Sequence, residues 1–291
     1  MIQNTYTESI LNWYVAHARD LPWRSPEASP WAVLVSEIML QQTPVARVLP
    51  AYEAWMKRWP TPADLAAEPS GEAVRQWGRL GYPRRALNLH AIARAVTERH
   101  DGTLPSDHEQ LRALPGVGSY TAAAVSSFAF RQRHAVLDTN VRRVFARLIS
   151  GVEYPAKAKT AAEERLAVSL LPDDPETAAQ WAVAVMELGA LICTARSPKC
   201  ADCPVYDKCA WRLAGKPPYD GPLRKGQSYA GTDRQCRGRL LEVLRHAEGP
   251  VPKTALDAVW DEPIQRERAL DALIADGLID PRDDGTYALP H

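Results

Sequence analysis

Glu37 and Asp138 are two acids of this 291-residue chain in opposite settings. Glu37 is flanked by Val33, Leu34, Val35, Ile38, Met39 and Leu40, so an apolar helix carries a carboxyl group. Burial without a cation raises the pKa of such a group and keeps its proton available near neutrality. Asp138 closes a short apolar run and starts a helix expected over residues 141–149, where free backbone amides, Arg142 and Arg143 favour the carboxylate. One protonated and one ionised acid form the pairing used in glycoside cleavage: the first supplies a proton to the leaving group, and the second faces the sugar cation. Each also has a plainer reading, Glu37 as a snorkelling or ion-paired side chain and Asp138 as a helix N-cap.

Two further motifs lie downstream of Glu37. Leu114-Pro115-Gly116-Val117-Gly118-Ser119-Tyr120 separates two helical segments. Its glycines permit unusual backbone angles and close approach of a ligand, and the next helix opens with amides suited to a phosphate oxygen. This is the helix–hairpin–helix pattern that grips a DNA backbone without reading sequence, placed about twenty residues ahead of Asp138. The second motif is Cys193-x6-Cys200-x2-Cys203-x5-Cys209. Four thiolates hold zinc or a [4Fe–4S] cluster, and the single tight pair favours the cluster. Arg196, Lys199 and Lys208 lie in its loops, and Cys236 is left over as an ordinary helix residue.

The elements that must position these groups read as all-α through residue 212. Thr5-x-x-Glu8 predicts a capping box at a first helix, Pro30 a helix to about Gln42, and Ser106-x-x-Glu109 another short one. Residues 178–192 form a long apolar helix. The division expected is a catalytic domain over 1–213, a Pro/Gly-rich basic linker over 214–231 and a small domain over 232–291. The last has three helical segments and a hairpin about Asp283-Asp284-Gly285, a winged-helix-like pattern open to duplex contact or to a purely stabilising role.

Net charge is zero, so phosphate affinity would rest on local patches. Arg131, Arg133, Arg142, Arg143 and Arg147 flank Asp138, and Arg75, Arg79, Arg84 and Arg85 surround Tyr82; either group could equally be a solvated face. No apolar run is long enough to span a bilayer, and the first residues carry no signal-peptide pattern. A cytoplasmic protein without membrane contact is expected, bound to the nucleoid if bacterial.

The chain resembles the MutY family of adenine glycosylases, in the helix–hairpin–helix superfamily. The resemblance is carried by Leu21-Pro22-Trp23-Arg24, Ser36-Glu37-Ile38-Met39-Leu40-Gln41-Gln42-Thr43, Gly81-Tyr82, Leu114–Tyr120, Leu137-Asp138-Thr139-Asn140-Val141, Met186-Glu187-Leu188-Gly189-Ala190 and the four cysteines. It implies a monomeric, monofunctional DNA glycosylase that flips out and excises adenine mispaired with 8-oxoguanine or guanine in double-stranded DNA. By match, Glu37 is the acid, Asp138 the cation stabiliser, and Tyr120 and Asn140 position these groups and the water. Arg24, Leu40 and Glu187 line the adenine pocket, Gln42 and Tyr82 fill the opened duplex, and Gly116 and Gly118 hold the backbone. The four cysteines carry a [4Fe–4S] cluster.

The related endonuclease III branch has lysine where this chain has Tyr120, which offers no amine for a Schiff base, so little strand cleavage is expected. Two departures stand out: Pro83 follows Tyr82, and the stretch after Gly231 is too short for the Nudix-like domain of many members. The alternatives are a glycosylase for another base, such as thymine in G·T, or a DNA-binding protein that keeps the scaffold without chemistry. Glu37 argues against the thymine-removing relatives, which lack a carboxylate there.

Overall fold

The computed structural model describes residues 3–221 and 229–291, with the side chains of residues 3–5 excepted. In chain order the helices are α1 Gln3–His17, α2 Pro30–Leu40, α3 Val45–Arg58, α4 Pro62–Ala66, α5 Ser70–Trp77, α6 Arg84–Arg99, α7 His108–Arg112 and α8 Ser119–Phe128. They continue with α9 Thr139–Leu148, α10 Ala161–Leu170, α11 Pro175–Leu191, α12 Ala210–Leu213, α13 Asp233–His246, α14 Lys253–Asp257 and α15 Pro263–Ala275. Strands β1 Val251–Pro252, β2 Asp280–Pro281 and β3 Thr286–Ala288 form one antiparallel sheet in the order β1-β3-β2.

The contacts separate two units that each draw on distant parts of the chain. The first comprises the described parts of Met1–Val33, Ser106–Ala113 and Val117–Leu223. Its core packs Ile10 and Trp13 of α1 against Val141, Val144, Phe145 and Leu148 of α9 and Trp181, Val185 and Leu188 of α11. α9 starts cleanly because Asp138 caps it, and α11 because Asp174 accepts from the Thr177 amide with Pro175 in the first turn.

The second unit comprises Leu34–Pro105, Leu114–Gly116 and the described part of Arg224–His291. Trp55, Trp59 and Trp77 are fully buried there, in edge-on contacts with ring centroids 4.7 and 5.8 Å apart.

Some local expectations shift. The short helix before the hairpin is capped by Asp107, whose side chain accepts from the Gln110 amide, rather than by Ser106; a carboxylate is the stronger acceptor for a helix-start amide. α1 begins at Gln3, ahead of the predicted Thr5 cap, whose side chain lies outside the described residues. Strand β1 has no counterpart in the sequence reading, because two residues leave no alternation to detect. Residues 222–228 of the expected linker also lie outside the described residues. Among the described residues no helix is long and apolar enough to cross a membrane.

Candidate active site

Asp138 sits at the N-cap of α9 with extended backbone. One carboxylate oxygen accepts from the Val141 amide at 2.6 Å, and the other accepts from Asn140 Nδ2 at 2.9 Å. Cap and site are therefore one arrangement: the two bonds that start the helix also fix the carboxylate. Burial nevertheless pushes the Asp138 carboxyl above its ordinary range, only partly countered by the Val141 amide, Asn140 and the charge of Arg143. This differs from the sequence expectation that the helix start would hold it well ionised, because the depth of Asp138 outweighs the donors around it.

Of the five arginines flanking Asp138, Arg131 and Arg133 are exposed, and Arg142, Arg143 and Arg147 turn inward. Arg142 turns to Glu163 at 2.9 Å and to the carbonyls of Ala156 and Ala158. Arg143 donates to Asn140 Oδ1 at 2.8 Å, to the Gly189 carbonyl at 2.6 Å and to the Cys193 carbonyl at 2.7 Å. Arg147, 1% exposed, donates to the carbonyls of Glu153, Thr194 and Ala195 and lies 3.4 Å from Cys193 Sγ. Its guanidinium stands between the rings of Trp211 and Tyr154, at 4.8 and 5.5 Å.

Glu187 of α11 is wholly buried. Arg19 binds it through both carboxylate oxygens at 2.7 and 2.6 Å, and Arg24 adds a bond at 2.8 Å. Burial alone would raise its pKa; the hydrogen bonds from Arg19 and then Arg24 override that and bring it down to about 2. With no exposed surface Glu187 acts on its neighbours through Arg24, whose Nη1 is a buried donor with no partner. Arg19 was not singled out from the sequence, and nothing there distinguishes it from a surface arginine. Two residues along, Gly189 allows α11 to touch α9: a Cβ there would lie 2.7 Å from Asn140 Cβ and 3.0 Å from its carbonyl oxygen.

Tyr120, in the first turn of α8, is half-buried against Ala124, Val136 and Ala182. Of the hairpin glycines, Gly116 alone requires its residue type for conformation, with φ 71° and Asn88 Nδ2 2.7 Å from where a Cβ would stand. Gly118 is extended and faces open space, so neither its conformation nor its neighbours require a glycine there.

In the second unit, Glu37 is 6% exposed on α2, beside buried Val35, Ile38 and Met39, and Leu40 ends that helix half-buried. Gln42 and Tyr82, forty residues apart in sequence, are joined: Tyr82 Oη donates to Gln42 Oε1 at 2.9 Å. Both are in the left-handed region, at φ 54° and 50°, a costly conformation for side chains of this size. Tyr82 is 53% exposed, and the Arg85 guanidinium stacks over its ring at 4.5 Å.

The four cysteines of the 193–209 loop carry no disulfide. Cys193, Cys203 and Cys209 pack against the core of the first unit, and the charges of Cys193, Cys209 and Cys200 all reach Cys203, whose thiol is pushed up to about 11, mainly by burial. Among the described residues no three His, Cys, Asp or Glu side chains are placed to hold one metal ion. Four thiols on one loop, three of them within electrostatic reach of Cys203, fit a cluster that takes one thiolate at each iron.

Comparison with known proteins identifies the family of the chain. The family described as HhH-GPD superfamily base excision DNA repair protein matches residues 35–168, and the iron–sulfur binding domain of endonuclease III matches residues 193–209. The chain is 53% identical to the adenine DNA glycosylase of Mycobacterium tuberculosis, across 97% of this chain and 92% of that protein. It is 50% identical to the adenine DNA glycosylase of Mycolicibacterium smegmatis, across 96% and 94%. Among solved structures, a thermostable thymine-DNA glycosylase superposes with a TM-score of 0.66 at 29% identity, covering 73% of this chain and 97% of its own.

Proposed function

We infer the function of this chain from one premise: it belongs to the adenine DNA glycosylases of the HhH-GPD superfamily of base excision DNA repair proteins. Its reaction is hydrolysis of the N-glycosidic bond of adenine in DNA, and its cofactor is a [4Fe–4S] cluster on the 193–209 loop. Our reading of the substrate is adenine mispaired with 8-oxoguanine or guanine in duplex DNA, removed without strand cleavage by a cytoplasmic enzyme that works as a monomer. The observation that carries the mechanism is the Asp138 carboxylate, half-buried and held at both oxygens by Val141 and Asn140.

Adenine leaves poorly until a ring nitrogen is protonated. Glu37, buried on α2, supplies that proton. The bond to the sugar then weakens toward an oxocarbenium ion, which the Asp138 carboxylate faces. Held at both oxygens, this carboxylate needs no reorganisation as positive charge develops. Asn140 keeps it in place and, with Tyr120, orients the water. The free Nη1 of Arg24 and the side chain of Leu40 meet the base, with Glu187 fixing Arg24. Gln42 and Tyr82 enter the stack where the nucleotide has left it, and Gly116 and Gly118 let the hairpin approach the phosphates. Cys193, Cys200, Cys203 and Cys209 would hold the cluster, and Arg143 and Arg147 tie their loop to α9 through the carbonyls of Cys193, Thr194 and Ala195.

A panel of duplexes with A, T, U or C opposite 8-oxoguanine or guanine, treated with alkali after incubation, tests this reading. Alkali-labile sites at A alone are expected. Release of thymine instead would overturn the substrate assignment, and breaks without alkali would overturn the monofunctional one.

A further inference from the structure

We propose that residues 233–291 brace the Tyr82 loop, with Arg75 and Arg245 as positioning residues that hold it in shape for entry into the duplex. This rests on the reading of Tyr82 as the residue that enters the stack.

The loop follows directly from α5, and α5 is gripped at both ends by the C-terminal segment. At its start, the Gly71 amide donates to the Pro290 carbonyl at 2.7 Å and Ser70 Oγ donates to the His291 carbonyl at 3.4 Å. The fit leaves no room for a side chain: a Cβ at Gly71 would lie 2.4 Å from the Pro290 oxygen. At its end, two helices cap each other. Arg75 of α5 donates to the carbonyls of Leu244 at 3.2 Å and Ala247 at 2.9 Å, and also to that of Arg245, at the last turn of α13. Arg245 of α13 donates in return to the Val74 carbonyl, at 3.0 Å, in the last turn of α5. The final carbonyls of a helix have no amide partner within it, and a cation suits that end of the dipole. Each arginine thus satisfies the open end of the other's helix.

The grip continues into the loop. Arg79 pairs with Glu242 of α13. Arg84 reaches Asp276, which also binds Arg237. Of the four arginines around Tyr82, three are held by the C-terminal segment, and the fourth, Arg85, stacks on the ring. Between them Gly78, Gly81 and Tyr82 all take left-handed backbone, and Trp77 Nε1 fixes the Gly81 carbonyl at 2.8 Å. A left-handed tyrosine persists only where its surroundings over-determine it. Residues 233–291 carry twelve Asp and Glu against eight Arg and Lys, a surplus unsuited to gripping phosphate and suited to holding arginines.

The experiment uses the full-length holoenzyme and a duplex with a fluorescent base analogue next to 8-oxoguanine. Opposite stands 2′-fluoro-deoxyadenosine, which resists excision because fluorine destabilises the sugar cation. Fluorescence reports unstacking on binding, and single-turnover excision is read on the unmodified duplex. Tyr82→Ala should abolish the unstacking signal. Arg75→Met and Arg245→Met should each lose at least half of it and slow excision about tenfold, with the iron–sulfur absorbance intact; Arg245→Lys should recover part of both. Glu242→Arg, at a more exposed pair, should weaken the signal and decides the matter should the buried variants not fold. A full signal in Arg75→Met, Arg245→Met and Glu242→Arg, with Tyr82→Ala still silent, overturns the brace and leaves the Tyr82 reading standing. A full signal in Tyr82→Ala overturns that reading and the brace with it.

Discussion

Arg143 donates to Asn140 Oδ1 at 2.8 Å, and that bond decides which end of the Asn140 amide faces Asp138. With its oxygen engaged by a guanidinium, Asn140 can turn only its NH2 to the carboxylate, where it donates at 2.9 Å. The other Arg143 bonds go to the carbonyls of Thr139, Gly189 and Cys193, so one side chain joins α9, α11 and the cysteine loop. Arg143→Met should therefore leave Asn140 free to flip and the carbonyls of Gly189 and Cys193 unsatisfied. A loss of about 2–4 kcal/mol in stability is expected. Single-turnover excision should fall by one to two orders of magnitude with duplex affinity within a few-fold. Arg143→Lys, which supplies the charge without the fork, should recover stability better than rate. Equal recovery of both would show that Arg143 acts on the fold alone.

Gly189 is where α11 and α9 come into contact. Its φ is unremarkable, so the requirement is space: an added methyl would lie 2.7 Å from Asn140 Cβ and 3.0 Å from its backbone oxygen. Neither atom is the end of a flexible chain. Gly189→Ala should force the helices apart, cost about 1–3 kcal/mol as overpacking does, and move Asn140 away from Asp138. Thermal unfolding and single-turnover excision should both drop. A variant as stable and as fast as wild type would show that the contact yields without consequence.

The helices were legible because their signals are local. Asp138 and Asp174 cap, prolines mark first turns, and apolar spacing follows one face. The separate settings of Glu37, buried on an apolar helix, and Asp138, at a helix start, could be argued from flanking residues, since burial and helix starts are written in the neighbouring sequence. The arginines could not be read in that way. Arg142, Arg143 and Arg147 look like a basic patch and are internal ties, because their acceptors are mostly backbone carbonyls, which every residue carries and no sequence pattern marks. Arg19 was missed for the same reason: its partner Glu187 is 168 residues away. The direction of the Asp138 shift was misjudged because depth of burial depends on how the helices pack, not on the cap itself.

Glu187 should make the fold sensitive to acid. Its folded pKa, about 2, lies below the ordinary value of 4.5, so its stabilisation is complete above the unfolded pKa and is lost as pH falls toward 2. The shift corresponds to on the order of 3 kcal/mol. Glu187→Gln removes the charge that the half-buried Arg19 and Arg24 share and should lower stability at neutral pH by about 1–3 kcal/mol, the worth of hydrogen bonds to a charged group. Melting temperatures between pH 6 and pH 3 should fall less steeply for the variant than for wild type. Parallel curves would remove Glu187 as the source of the acid sensitivity.

Asp138 should set the acid limb of the pH–rate profile. The sugar cation needs its carboxylate, and burial holds the folded pKa above the ordinary 3.8, so single-turnover excision should rise as pH climbs through a midpoint above that value. The hydrogen bonds from Val141 and Asn140 pull the other way, since both favour the ionised form. Removing the Asn140 bond must then raise the midpoint further. Asn140→Ala should shift the acid limb to higher pH as well as lower the plateau, whereas Asp138→Asn should bind the mismatched duplex and show no excision at any pH. A limb that stays in place in Asn140→Ala would mean that another group controls it, and that the bond to Asp138 positions the carboxylate without tuning its charge.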